Sequence, residues 1–282
     1  MDKIKTEEEN NKSNKVIFER DGYLLFKAVY NIKELKEIRS LFRLAFKNED
    51  LINVKYNSDS IINDIYKVYP NILDTVINKN YIRAIKSILG ESIIWLPECS
   101  VHYNRFDDWH KDTTEQELKG VKSHKNENQF LLQCATYFQS NSNIGGGLTV
   151  IPGSHLNKDR FLNLYKKGFY MRAKNKLKKY VKISVFDKIN NNDNQIQIQT
   201  EIGDLLIFDV RLDHKATRNS KKSDGIEKFA IFNTFGNDNA FTSDYLNFMK
   251  ARLEPYYQYL QNTKFPDILY NKAAALNIKI WD

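Results

Sequence analysis

Asp108-Trp109-His110-Lys111-Asp112-Thr113, answered far along the chain by Val210-Arg211-Leu212-Asp213-His214, decides how this sequence is read. In an extended segment side chains i and i+2 share a face, so His110 and Asp112 offer an imidazole nitrogen and a carboxylate oxygen to one ion while Lys111 turns away. His214 becomes a third ligand only if the fold returns a distant strand to the first, as a barrel does. Two imidazoles and one carboxylate on one face of an octahedral ion leave the opposite positions open for small molecules.

Working outward, the middle of the chain is a series of short β-rich runs: Ser92 to Leu96, Ser100 to Arg105, Phe130 to Gln139, Leu148 to Ile151, Gln195 to Thr200, Asp204 to Val210 and Lys228 to Phe235. No long helices alternate with them, which excludes a parallel α/β sheet. The pattern predicts a mainly β fold with flanking α-helices around a double-stranded β-helix, the cupin-like jelly roll. Helices are expected from Asn31 to Lys47, where Leu35, Ile38, Leu41, Phe42, Leu44 and Ala45 form a stripe, and from Asn80 to Leu89, stopped by Gly90. The polar loop from Thr113 to Asn128 is expected to be a lid, and Asp187 to Asn194 a second insert. After Phe235 the spacing of Tyr245, Leu246, Phe248, Met249, Leu253 and Leu260 is helical, broken by Pro255, and suits packing outside the barrel or a dimer face. The expected division is a disordered tail over 1–15 and a single domain over 16–282, with a helical part at 16–90, the jelly-roll core at 91–240 and a helical extension at 241–282.

Hydrophobic residues make up 41% of the 282 residues and aromatics 13%, too apolar for a disordered chain, and no apolar run is long enough to span a bilayer. Met1 to Lys15 has no apolar signal-peptide region, so a cytoplasmic location is expected. Cys99 and Cys134 sit in apolar, strand-like contexts and are expected to be reduced. The net charge of +8 is spread through the chain, which argues against a nucleic-acid partner. Its densest stretch, Lys166 to Lys182, reads as a solvated basic face or as an anion-binding lip for an acidic substrate.

Two further blocks frame the histidines: Gly145-Gly146-Gly147-Leu148-Thr149-Val150-Ile151-Pro152-Gly153-Ser154-His155, and Gly203-Asp204-Leu205-Leu206-Ile207-Phe208-Asp209 just before His214. With these blocks in this order, and Phe18-Glu19-Arg20-Asp21-Gly22-Tyr23-Leu24 at the entry, the chain resembles the phytanoyl-CoA dioxygenase family from residue 17 to about 240. The resemblance implies an Fe(II)- and 2-oxoglutarate-dependent dioxygenase that uses O2 to hydroxylate a small-molecule substrate, releasing succinate and CO2. It implies His110, Asp112 and His214 as metal ligands. The Asp112 carboxylate favours hydroxylation, because related halogenases carry a small residue there.

The 2-oxoglutarate C5 carboxylate needs a cation. The family's arginine, in the pattern Arg-x-Ala-Ile, is replaced here by lysine in Lys228-Phe229-Ala230-Ile231, which keeps the charge but loses the bidentate fork. Arg218 is the second candidate. Ala216 stands where some members carry a serine that contacts the co-substrate, so Tyr103, Gln133 or Tyr137 are the candidates for that contact. Trp109 reads as packing, His155 as closing a structural turn, and His102 and His124 have no motif around them. Two other readings stay open: a metal-binding cupin enzyme that does not use 2-oxoglutarate, and a non-catalytic basic binding module. A homo-oligomer is compatible with all three.

Overall fold

A computed structural model describes residues 7–56, 59–104, 107–120, 129–142, 144–162, 194–217, 225–252, 255–261 and 265–281. Its described strands are β1 (Tyr23–Phe26), β2 (Val54–Tyr56), β3 (Asp59–Asn63), β4 (Ile93–Tyr103), β5 (Leu131–Tyr137), β6 (Leu148–Val150), β7 (Ile196–Gln197), β8 (Leu205–Asp209), β9 (His214–Ala216), β10 (Phe229–Asn237) and β11 (Lys279–Ile280). The described helices are α1 (Glu7–Asp21), α2 (Ile32–Ala45), α3 (Ile65–Val68), α4 (Leu73–Val76), α5 (Lys79–Leu89), α6 (Thr114–Leu118), α7 (Ala240–Lys250) and α8 (Asp267–Ala275). None of the described helices is long and apolar enough to cross a membrane.

The larger sheet runs β1-β8-β5-β10-β4-β3-β2, antiparallel throughout, with β11 added parallel to the start of β4. The smaller sheet runs β7-β6-β9. These are the two layers of the expected jelly roll. Every residue of β5 and β8 is buried, because both faces of the larger sheet are covered. On the outer face Cys99, Val101, Leu132, Cys134, Ile207 and Ile231 pack against Leu35, Ile38 and Phe42 of α2 and Tyr81, Ile85 and Ile88 of α5. On the inner face Ala135, Leu206 and Phe208 meet Leu148 and Val150 of the smaller sheet. Both cysteines are free and buried.

The two expected helices form, the first two expected strands join as β4, and the strand expected over Gln195 to Thr200 shortens to Ile196–Gln197; other parts of the chain differ from expectation. Glu7 to Lys15 belongs to α1 rather than to a disordered tail, because Phe18 is fully buried in the core and Asn14 Nδ2 donates to Ser87 Oγ of α5 at 3.2 Å. The polar segment after Thr113 begins as α6, whose Thr114, Gln116 and Glu117 are buried; 121–128 lie outside the described residues. The C-terminal segment, expected outside the barrel or at a dimer face, packs onto one end of the larger sheet. Phe241, Tyr245, Leu246 and Met249 of α7 pack on Ile94, Leu96, Leu131 and Val210, and β11 joins the sheet.

Two of the motif blocks serve this packing. Gly22 has φ +78°, and a Cβ there would stand 2.5 Å from His155 Nδ1. His155 is fully buried with Nε2 facing the Glu19 carbonyl at 3.2 Å, so the entry block and the Pro152-Gly153-Ser154-His155 turn lock together.

Candidate active site and metal centre

His110 and His214 face each other as a bridged pair. Each backbone N–H donates to the other residue's carbonyl at 3.0 Å, and the Asp112 N–H donates to Val210 O at 2.9 Å. This pairing, rather than a long strand, holds the segment extended, since α6 begins at Thr114. The imidazole centroids lie 4.2 Å apart. Asp112 Oδ1 is 3.6 Å from His110 Nε2 and 3.7 Å from His214 Nε2, and the three ligand atoms fall within 4.8 Å of one another.

The tautomers follow from the backbone. His110 Nδ1 donates to the Asp108 carbonyl at 2.6 Å and His214 Nδ1 to the Leu212 carbonyl at 3.0 Å, which leaves both Nε2 lone pairs turned toward Asp112. Burial lowers His110, but the hydrogen bond and charge of Asp112 outweigh it and carry His110 up to about 9. Burial and then the neighbouring His110 charge push His214 down to about 4. Without an ion the Asp112 charge favours a proton on His110, and a bound cation would take that proton's place. Two neutral imidazoles and a carboxylate form a donor set that fits a divalent cation.

Residues alternating with the ligands point the other way and fix them. Lys111 is 1% exposed and its Nζ donates to the carbonyls of Ser154 at 2.6 Å and Asn157 at 3.0 Å, with Asp213 Oδ1 at 3.5 Å. Arg160 Nε meets Asp213 Oδ2 at 2.8 Å. The neighbours of His110 and His214 are therefore joined by a buried ion pair. Trp109 packs with Ile151 and Phe161, as expected of a packing residue.

The ligands line a cavity of about 590 Å³. One end is built around Lys228, which is buried, lines the cavity, and donates from Nζ to Ile144 O at 3.1 Å. Asn104 brackets its backbone, accepting from Lys228 N at 2.9 Å and donating to Lys228 O at 2.8 Å. Gly146, at φ +81°, leaves the room this side chain occupies, since a Cβ there would stand 2.4 Å from Lys228 Cδ. Burial lowers the Lys228 ammonium from its usual value.

Gln133 lines the cavity, paired with Thr234 across β5 and β10, and Tyr137 lines it with its hydroxyl raised by burial. Tyr103 does not line it. Its ring packs on Phe46 at 5.2 Å and Phe229 at 5.1 Å on the outer face, because odd-numbered residues at this end of β4 point into the core. The even positions Glu98, Ser100, His102 and Asn104 face the cavity instead, with Ser100 Oγ and His102 Nε2 3.0 Å apart. Alternation along Glu98-Cys99-Ser100-Val101-His102-Tyr103-Asn104 is the signal that finds them. Tyr245, Arg252 and Tyr257 of the C-terminal segment also line the cavity. Arg218, His124 and the basic run from Lys166 to Lys182 lie outside the described residues.

Among solved structures the chain is similar to SnoN, the non-heme alpha ketoglutarate dependent epimerase from nogalamycin biosynthesis, at 13% identity and TM-score 0.57 over 80% of this chain and 83% of that one. EctD from S. alaskensis, solved with 2-oxoglutarate and 5-hydroxyectoine, aligns at 16% identity and TM-score 0.57 over 80% and 75%. AviO1 from Streptomyces viridochromogenes Tue57 aligns at 14% identity and TM-score 0.55 over 82% and 96%. These likenesses establish the shared fold. No curated protein sequence matches the chain. The sequence profile of the phytanoyl-CoA dioxygenase family matches residues 18–225, a span that holds all three metal-ligand candidates, and the chain belongs to that family.

Proposed function

We propose that this protein is an Fe(II)- and 2-oxoglutarate-dependent dioxygenase that hydroxylates a small-molecule substrate and releases succinate and CO2. The observation that carries this reading is the convergence of His110, Asp112 and His214 on the wall of a cavity that also contains Lys228. Family membership supports it, and so does the fold shared with a protein crystallised with 2-oxoglutarate. In this reading a single domain, opened by α1, carries the activity, in the cytoplasm, where the free Cys99 and Cys134 stay reduced.

Bound iron would supply the coupling of O2 reduction and 2-oxoglutarate decarboxylation to substrate oxidation. The chain's own residues position the reactants. His110, Asp112 and His214 hold the metal from one side. Lys228 anchors the C5 carboxylate of 2-oxoglutarate as a point charge, and its tie to Ile144 O and the space above Gly146 aim it. Tyr103, packed on the outer face, takes no part.

Succinate formation from 2-oxoglutarate with added Fe(II) tests the reading. Turnover is expected in the wild-type chain and its loss in Asp112→Ala. A folded, metal-binding wild type that leaves 2-oxoglutarate untouched would identify a metal cupin of different chemistry. Lys228→Ala should raise the KM for 2-oxoglutarate about 10- to 100-fold, since a charge-assisted contact contributes about 1.5–3 kcal/mol. An unchanged KM would pass the anchoring role to Arg218.

A further inference from the structure

The register of β4 on β10 slips beside the metal-ligand candidates. Cys99 faces Asn233, but the next pair is Leu96 with Thr234, so Pro97 and Glu98 are extra residues on β4. Such a bulge re-aims a side chain, and Glu98 turns into the cavity. Its carboxylate is buried. Oε2 accepts from the Thr234 hydroxyl at 2.9 Å and the Tyr245 hydroxyl at 3.3 Å, and among the described residues no cation lies within salt-bridge distance of it. Arg252, whose charge reaches Glu98, is held by Glu115 Oε2 at 2.7 Å.

A second acceptor stands beside it. Gln133 faces Thr234 from the other side, is 8% exposed, and its Oε1 has no hydrogen-bond partner although it is buried. Thr234 lies six residues along β10 from Lys228, about 20 Å in an extended strand, so Glu98 and Gln133 belong to the end of the cavity remote from the co-substrate anchor. A buried carboxylate without a cation is costly, and the Gln133 oxygen on the other side of Thr234 still lacks a donor; together they call for a ligand that brings donors and positive charge. An ammonium brings three donors and no acceptor.

We infer that Glu98 is the specificity-determining residue of this end and that the substrate carries an ammonium group, with the Glu98 carboxylate as its counter-ion and Gln133 Oε1 as its second acceptor. This deepens the oxygenase reading by naming a substrate class, and moves Gln133 from the co-substrate to the substrate.

The full chain loaded with zinc, a redox-silent stand-in, is screened by saturation-transfer NMR against three size-matched sets: primary amines, carboxylic acids and neutral alcohols. Amines should bind in preference. Glu98→Gln, checked by its melting curve and zinc content, should weaken the best amine more than about tenfold, and Glu98→Asp should recover part of the loss. Acids or alcohols binding as well as amines, no binding by any set, or undiminished amine binding in Glu98→Gln each overturns the inference. Should Glu98→Gln fail to fold, the wild-type ranking of the three sets decides. The screen needs no turnover, so failure of the oxygenase reading shows separately, as absence of succinate in the iron assay.

Discussion

Glu98 holds its proton up to about pH 7, mainly because burial disfavours its charged form, with the Asp112 charge adding to the effect and the Thr234 hydrogen bond opposing it. Between the ordinary carboxylate value near 4.5 and about 7 the folded chain therefore binds more protons here than the unfolded chain does. The contribution of this group to stability falls as pH rises through that window, by roughly 3 kcal/mol in all. Glu98→Gln removes the dependence. Urea unfolding at a series of pH values should show the variant gaining on the wild type from about pH 4.5 to 7 and holding the gain above it; a constant difference would mean that Glu98 ionises normally. At this scale the metal ligands were legible because three residue types at fixed spacings within longer blocks leave few alternatives, and Lys228 because it opens a strand of known pattern. Tyr103 misled because an aromatic residue near a ligand attracts a role, while strand alternation gives the cavity face to Glu98, Ser100, His102 and Asn104.

The elements that carry the ligands are held from behind by Lys111 and Asp213. Removing one partner of a buried pair typically costs about 3–5 kcal/mol. Arg160 remains with Asp213, so Lys111→Met should fall near the low end of that range by chemical denaturation, and should also weaken zinc affinity, because the two ligand segments lose a tie between them. A second element-level prediction concerns the turn before β6. Gly146→Ala places a methyl group on Lys228 and strains a positive φ, so it should raise the KM for 2-oxoglutarate while leaving zinc binding intact. The central strands could be read in advance: β5 and β8 are short, mainly apolar runs buried throughout, and β10 is rich in aromatic and β-branched residues. β4 read as two strands because Pro97 and the bulge interrupt its alternation, and β11 could not be read because two residues pairing with a distant strand carry no periodicity.

For the molecule as a whole, the C-terminal segment completes what the barrel begins. α7 covers one end of the larger sheet and brings Tyr245 to the cavity, and the segment after it adds Arg252 and Tyr257, although both lie beyond the span of the family match. Leu246 is 1% exposed between α7 and the sheet, and Leu246→Ala should cost about 2–5 kcal/mol in equilibrium unfolding. The helical spacing of this segment was readable; where it packs was not, because an apolar stripe does not name the surface that receives it. The basic side of the chain's charge, read as a general bias, finds local partners in the described surface, such as Lys55 with Glu49 and Lys279 with Asp238.

The reciprocal hydrogen bonds between His110 and His214 have a kinetic corollary. An ion gripped by both imidazoles has its ligands fixed by a zipped seam, and it leaves most readily when one side of that seam peels away. Extraction by a chelator should therefore proceed at a rate that stops rising once the chelator is in excess, the plateau being the frequency with which the seam opens.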